Sequence, residues 1–192
     1  MSFLNNLPTT TLWIIGGIFL FILFFLWFVY NAFVTKRNEV KAAFANIDVQ
    51  LKRRASLIEN LVALVREYAK HESRTFENVA KARSALVEPH GPRQTADIDN
   101  MLSQTLKSLL AVAENYPKLQ ASDNYQRLQN DLKETEDMIA GHREAYNQAV
   151  LDFNTMIQTF PNLLAASLFG FGEEELFQSP ETDTQDVEIT TA

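Results

Sequence analysis

The stretch "IDVQLKRRASLIENLVALVREYAKHE", residues 47–72, decides the fold. Its apolar residues belong to a longer series, Val40, Phe44, Ile47, Leu51, Ala55 or Arg54, Ile58, Leu61, Val65 and Tyr68, whose steps alternate between four and three. That spacing lays one apolar seam along a helix that packs against other helices. A strand would show the same residues at every second position. Neither Gly nor Pro occurs between Gly17 and Pro89, so the simplest expectation is a single helix that runs on to about Val87.

Toward the N-terminus the seam gives way to "LWIIGGIFLFILFFLWFV", Leu12–Val29, and the uncharged run continues to Val34. Residues 12–34, at about 1.5 Å each, reach about 34 Å, enough to cross a hydrocarbon core of about 30 Å. Trp13, Trp27 and Tyr30 stand near the two ends, where amphipathic rings settle at the interface. A cleaved signal peptide fits poorly, because the leader carries no Lys or Arg, the run is too long and no good small-x-small cleavage site follows it. Lys36, Arg37 and Lys41 come directly after the run, so the positive-inside rule predicts an external N-terminus of residues 1–11 and a cytoplasmic remainder. Gly16-Gly17 is read as a tolerated small pair rather than a helix-packing point.

Toward the C-terminus "EPHGPRQT", Glu88–Thr95, reads as a turn. A second helix is expected from near Thr95, with Ile98, Met101, Leu102, Leu106, Leu109, Leu110 and Ala113 inward, stopping before Pro117. A third starts with Ser122 or Asp123 as its cap, with Gln126 placed to complete a capping box with Asp123. Its seam is Tyr125, Leu128, Leu132, Thr135, Ile139, His142, Tyr146, Val150, Phe153 and Ile157, and it ends before Phe160-Pro161. "PNLLAASLFGFGEEELF", residues 161–177, reads as a short helix that packs on the bundle in preference to touching the bilayer. The fold class is therefore all-α: a transmembrane helix continuing into a long antiparallel bundle of three to four helices over residues 35–178, then a disordered acidic tail over 179–192. Residues 36–178 are expected to fold without the span.

The net charge of −7 sits in one place. Residues 36–172 hold 17 basic and 17 acidic side chains, whereas residues 173–192 hold seven acids and no base. A neutral body with an acidic tail argues against a nucleic-acid binder, which needs a basic face to displace counterions from phosphate. The chain has no cysteine, which removes disulfides, thiolate metal sites and cysteine nucleophiles.

Few residues invite chemistry. His71-Glu72 is not the zinc motif H-E-x-x-H, because position 75 is threonine, and none of the three histidines has a Glu three residues earlier as a di-iron bundle needs. No catalytic residue, metal ligand or cofactor is expected, and an enzyme reading has nothing to stand on. The basic triplet Lys52, Arg53 and Arg54 spreads round a helical turn, so it is read as a solvated face with Arg54 reaching across the seam to an acid. A docking point for an acidic partner, or for Glu173–Glu175, is the less favoured alternative. Arg83 and Glu114 lie near apolar seams and are expected to pair between the first and second helices. His142 lies on the third seam, where a carboxylate such as Glu72 would suit it.

Several separated motifs resemble the LemA family of bacterial membrane proteins, in order and over Tyr30 to about Phe177. They are "YNAFVTKRNEVKAAFANIDVQLKRRASLIENLV", "YAKHE", "ARSA", "AENYPKLQAS", "LQNDLKETED", "YNQAVLDFNTMIQTFPN" and "FGF". Phe44 stands where a tryptophan is commoner in that family, a conservative change. The resemblance implies a short outer N-terminus, one span in the bacterial inner membrane and a cytoplasmic helical bundle, with no catalytic residues to carry over. It also implies a role in envelope maintenance alongside TPM-domain proteins or membrane metalloproteases. The leading expectation is a membrane-anchored scaffold that contacts the bilayer through residues 12–34 and otherwise binds proteins, including copies of itself. The alternative is a membrane-associated regulator binding a small ligand between helices, lined by Tyr68, His71, Glu114, His142 and Tyr146.

Overall fold

The computed structural model describes residues 9–69, 73–86 and 90–177. Its helices are α1 Thr9–Tyr68, α2 Ser73–Ala85, α3 Pro92–Glu114, α4 Pro117–Gln120, α5 Asp123–Gln158 and α6 Asn162–Phe169. Among the described residues there is no strand. Contacts divide the chain into two units, Met1–Val40 with Ala149–Glu174, and Lys41–Gln148 with Glu175–Ala192. Both are described below as far as their described residues go.

In the larger unit the predicted seams are the core. Ile47, Leu51, Ile58, Leu61 and Val65 of α1, Leu102, Leu106, Leu109 and Ala113 of α3, and Leu132, Ile139 and Tyr146 of α5 are all buried. Some predicted positions differ: Met101 is exposed, Phe44, Leu110, Leu128 and His142 are half-buried, and Ala69 rather than Tyr68 closes the α1 seam. The buried threonines satisfy their hydroxyls within their own helix, Thr95 donating to the Gly91 carbonyl at 3.0 Å and Thr135 to that of Asp131 at 2.7 Å. Proline sets two helix starts, Pro92 in α3 and Pro117 in α4, each at a position whose N–H has no intrahelical partner to lose. Ser122 caps α5 by accepting the Tyr125 N–H at 3.3 Å, so the cap is Ser122 and not an Asp123–Gln126 box.

The expected single helix to Val87 is corrected: α1 ends at Tyr68 and α2 begins anew at Ser73. The Arg83 guanidinium lies 2.5 Å from the Glu59 carboxylate, and the Arg66 guanidinium sits 4.7 Å from the Phe76 ring centroid. In an unbroken helix residues 59 and 83 would stand about 36 Å apart. The chain therefore folds back, and α2 runs antiparallel to the end of α1. A straight continuation would leave Phe76, Val79 and Ala82 without a partner, whereas the reversal buries all three.

In the smaller unit Val29, Phe33 and Val40 of α1 are buried, as are Val150, Phe153 and Ile157 of α5 and Ala165 and Ala166 of α6. The stretch from Leu12 to Phe28 exposes its large apolar side chains, among them Trp13, Phe21 and Trp27. Gly170 ends α6 at φ 71°, a left-handed conformation that glycine adopts without a Cβ clash. Beyond it the chain has no regular secondary structure, and Asn154 holds it: the side-chain amide donates to the Glu174 carbonyl at 2.9 Å and accepts the Glu174 N–H at 2.9 Å. In the larger unit Asn147 grips Phe177 in the same two-point way, donating at 3.1 Å and accepting at 2.8 Å.

The core and the surface should respond very differently to truncation. Ile58→Ala is expected to lose about 2–5 kcal/mol, because its fully buried side chain leaves a cavity. Arg83→Ala removes an ion pair whose side chains are 59% and 50% exposed, and should cost under about 1 kcal/mol. Urea denaturation of the detergent-solubilised chain, followed by helical circular dichroism, measures both.

Candidate functional site

The polar centre of the larger unit is built from three helices. Arg54 from α1 donates through Nη1 to Asp99 Oδ1 on α3 at 2.8 Å, and Arg143 from α5 pairs through Nη2 with the other oxygen, Oδ2. Arg54 is 3% exposed and Asp99 1%. Asp99 lies on the α3 seam, three residues after Ala96 and three before Leu102, so the helix delivers its carboxylate inward with its apolar neighbours. The face of the Phe177 ring stands 4.9 Å from the Arg143 guanidinium, and that ring is set in place by Asn147.

Two guanidiniums thus share one carboxylate, with Arg54 enclosed and Arg143 only part-buried. Burial pushes the Arg54 guanidinium below its ordinary pKa, partly offset by the charge of Glu136. Burial also lowers Arg143, and the like charge of Arg54 adds to the effect. Both remain cations at neutral pH, because guanidinium holds its proton so firmly. Arg54 Nε and Arg143 Nε are buried without a hydrogen-bond partner among the described residues, as is Gln50 Oε1. The arrangement fixes the register of α1, α3 and α5, and offers no nucleophile or general base.

The basic triplet divides as a helical turn dictates. Lys52 pairs with Asp48 at 2.7 Å, Arg53 reaches Glu134 at 3.4 Å and Met138 Sδ at 3.7 Å, and Arg54 turns inward. Arg54 thus meets an acid across the seam, as the sequence leads one to expect. The expected Arg83–Glu114 pair is corrected, since the reversal of α2 turns Arg83 to Glu59. Asp99 and Arg143 were not foreseen as partners. Their signals were an acid on an apolar stripe and a base next to the seam residue His142.

The residues expected to line a ligand cavity lie as follows among the described residues. Tyr68 is 40% exposed at the end of α1. His71 and Glu72 lie outside the described residues. Tyr146 is buried, its hydroxyl donating to the Glu175 carbonyl at 2.7 Å and its ring between Phe44 and Phe177 at centroid distances of 5.6 and 6.5 Å. His142 is half-buried on α5. Glu114 borders an open groove with Leu110, Gln120, Tyr125, Gln126, Gln129 and Asn130. Tyr68, His142 and Tyr146 border neither that groove nor two others, on α1 with α5 and on α3 with α5. Among the described residues no group of three or more His, Asp or Glu could hold a metal ion.

An all-α bundle with a buried ionic centre, on a chain whose first helix is long and apolar enough to cross a membrane, defines a class of membrane-associated helical proteins. Within that class the chain belongs to the LemA family, whose profile matches residues 43–190. It is 33% identical to the magnetosome proteins MamQ 1 and MamQ 2 of Paramagnetospirillum magneticum (strain ATCC 700264 / AMB-1) over 182 residues, covering 81% of this chain and 67% of each relative. It is 30% identical over 183 residues to the magnetosome protein MamQ of Magnetospirillum gryphiswaldense, with the same coverage of 81% and 67%.

Two outcomes follow from the site. Asp99→Ala leaves the buried Arg54 and the part-buried Arg143 without the carboxylate they share and should lower stability by about 3–5 kcal/mol. The triple variant Arg54→Leu, Asp99→Leu, Arg143→Met should recover much of that loss by removing every buried charge together. Urea midpoints of the two variants decide the matter. Separately, burial raises the pKa of the Tyr125 phenol, with the charge of Glu114 adding and the Gln129 hydrogen bond opposing. A phenol raised in the fold contributes stability that is complete below the unfolded value of 10.0 and is lost as pH climbs through the folded value. Tyr125→Phe should therefore flatten the decline in melting temperature between about pH 9 and 11.

Proposed function

We propose that this LemA-family chain is a single-pass membrane scaffold that presents a rigid helical surface to protein partners and performs no chemistry of its own. One observation carries the reading: α1 is a single helix, Thr9–Tyr68, with an outward apolar stretch over Leu12–Phe28 and a buried seam from Val40 to Val65. A helix that is apolar on its outside has lipid as its natural solvent, and a helix with a buried seam belongs in a bundle. The same helix thus anchors the chain and forms part of its core.

The finer parts of the proposal rest on flanking charge and on family resemblance. Lys36, Arg37 and Lys41 favour a cytoplasmic bundle and an external N-terminus in a bacterial inner membrane. TPM-domain proteins and membrane metalloproteases are the partner classes that the resemblance suggests, with envelope maintenance as the setting. Binding between copies is compatible with the same surfaces. The small-ligand regulator draws no support from Tyr68, Glu114, His142 and Tyr146, which border no common groove among those described.

Topology tests the anchor directly. In cells, a reporter that works only in the cytoplasm should be active when fused after Ala192, and one that works only outside should be silent. The fusion should also stay with membranes through an alkaline wash. Release by the wash, or an active external reporter, would reject the topology proposed.

A further inference from the structure

Helix α6 turns its small residues inward and its large ones outward. Ala165 and Ala166 are buried, whereas Leu163, Leu164 and Leu168 are 51%, 65% and 67% exposed, and Phe160 just before the helix is 78% exposed. A helix with water on its outer side would show the opposite order. No charged side chain occurs from Phe153 to Gly172, so this outer face asks no ion to leave water.

Its place in the unit says what covers it. The Phe169 ring meets Tyr30 edge-on at a centroid distance of 5.1 Å, and Phe171 lies 5.9 Å from Tyr30 and 5.1 Å from Phe33. Tyr30 is the first residue after the apolar run Leu12–Val29, which at about 1.5 Å per residue is about 27 Å long, close to a hydrocarbon thickness. Past Phe171 the chain draws away from that level, because Glu174 pairs at 2.8 Å with Arg37, two turns farther along α1. Trp27, Phe28 and Tyr30 are themselves exposed, so the apolar surface of the anchor continues through the Tyr30–Phe169 contact onto α6.

We infer that α6 is an interfacial helix, seated with Leu163, Leu164 and Leu168 in the boundary between acyl chains and headgroups beside the anchor. The inference rests on the reading of α1 as a membrane span. A short apolar helix locked to the foot of the span by aromatic contacts gives the chain a second point of attachment, and so sets the rotation of α1 about its own axis as well as its depth.

The absence of cysteine allows clean single-site labelling of the full-length chain in phosphatidylcholine nanodiscs. An environment-sensitive fluorophore is placed in turn on Leu164→Cys and Leu168→Cys, with Phe21→Cys as the reference within the span and Glu39→Cys as the reference beyond it. Lipids spin-labelled near the headgroup should remove most of the fluorescence at positions 164 and 168, lipids spin-labelled deep in the acyl chain should do so at position 21, and aqueous iodide should remove little at any of the three. Bright, iodide-accessible labels at both positions, with position 21 still quenched by lipid, would overturn the inference and leave the anchor standing. Labels at both positions shielded from lipid and iodide alike would show that protein covers the face, and would overturn it too. Failure of lipid quenching at position 21 would reject the anchor and this inference together.

Discussion

One carboxylate has to satisfy two guanidiniums in the interior of the larger unit, and the positions of three helices follow from that demand. A buried ion pair adds little net stability, because desolvation takes back most of the Coulomb attraction. What it adds is discrimination between arrangements, since any slip of α1, α3 or α5 strands a charge away from water. Arg143 also meets the Phe177 ring face at 4.9 Å, an attraction that strengthens where water is excluded. Phe177, at the end of the described chain, is thereby tied into the same centre, since Asn147 fixes it.

The helical class was legible because the seams are long and their spacing admits no other period. Val150, Phe153 and Ile157 of α5 are buried where the count of three and four puts them. The reversal after Tyr68 was hidden by the same regularity. The buried residues Val65, Ala69, Phe76, Val79, Ala82 and Leu86 stay nearly in phase as if the helix were unbroken, so periodicity alone joins two helices into one. The Arg83–Glu114 pairing fell with that straight helix, because the direction of a side chain past a turn depends on the turn. Arg54 was read correctly, since a base on an apolar seam needs an acid opposite, but which acid depends on the rotation of α3, and Asp99 won. At the end of the α1 seam a shift of one position, Ala69 inward in place of Tyr68, leaves Tyr68 40% exposed.

The segment after Pro161 shows a different limit. Sequence favours packing over lipid contact for it, and the alanine face of α6 does pack. Its leucine face is exposed, and hydrophobic patterning cannot say which solvent lies outside until the neighbours of the helix are known. Tyr30 and Phe33 are those neighbours, and they come from the end of the apolar run rather than from the bundle seams.

Asn147 and Asn154 each read a peptide unit, with one donor and one acceptor, and neither reads a side chain. At Glu174 and Phe177 that clasp is indifferent to residue type except in one respect: proline has no N–H to give. Each clasp is therefore a test of backbone, not of side chain, in its own unit. Any residue with an N–H and a carbonyl could be held there, so the choice of Glu174 and of Phe177 answers to what their side chains meet, Arg37 for the first and Arg143 for the second.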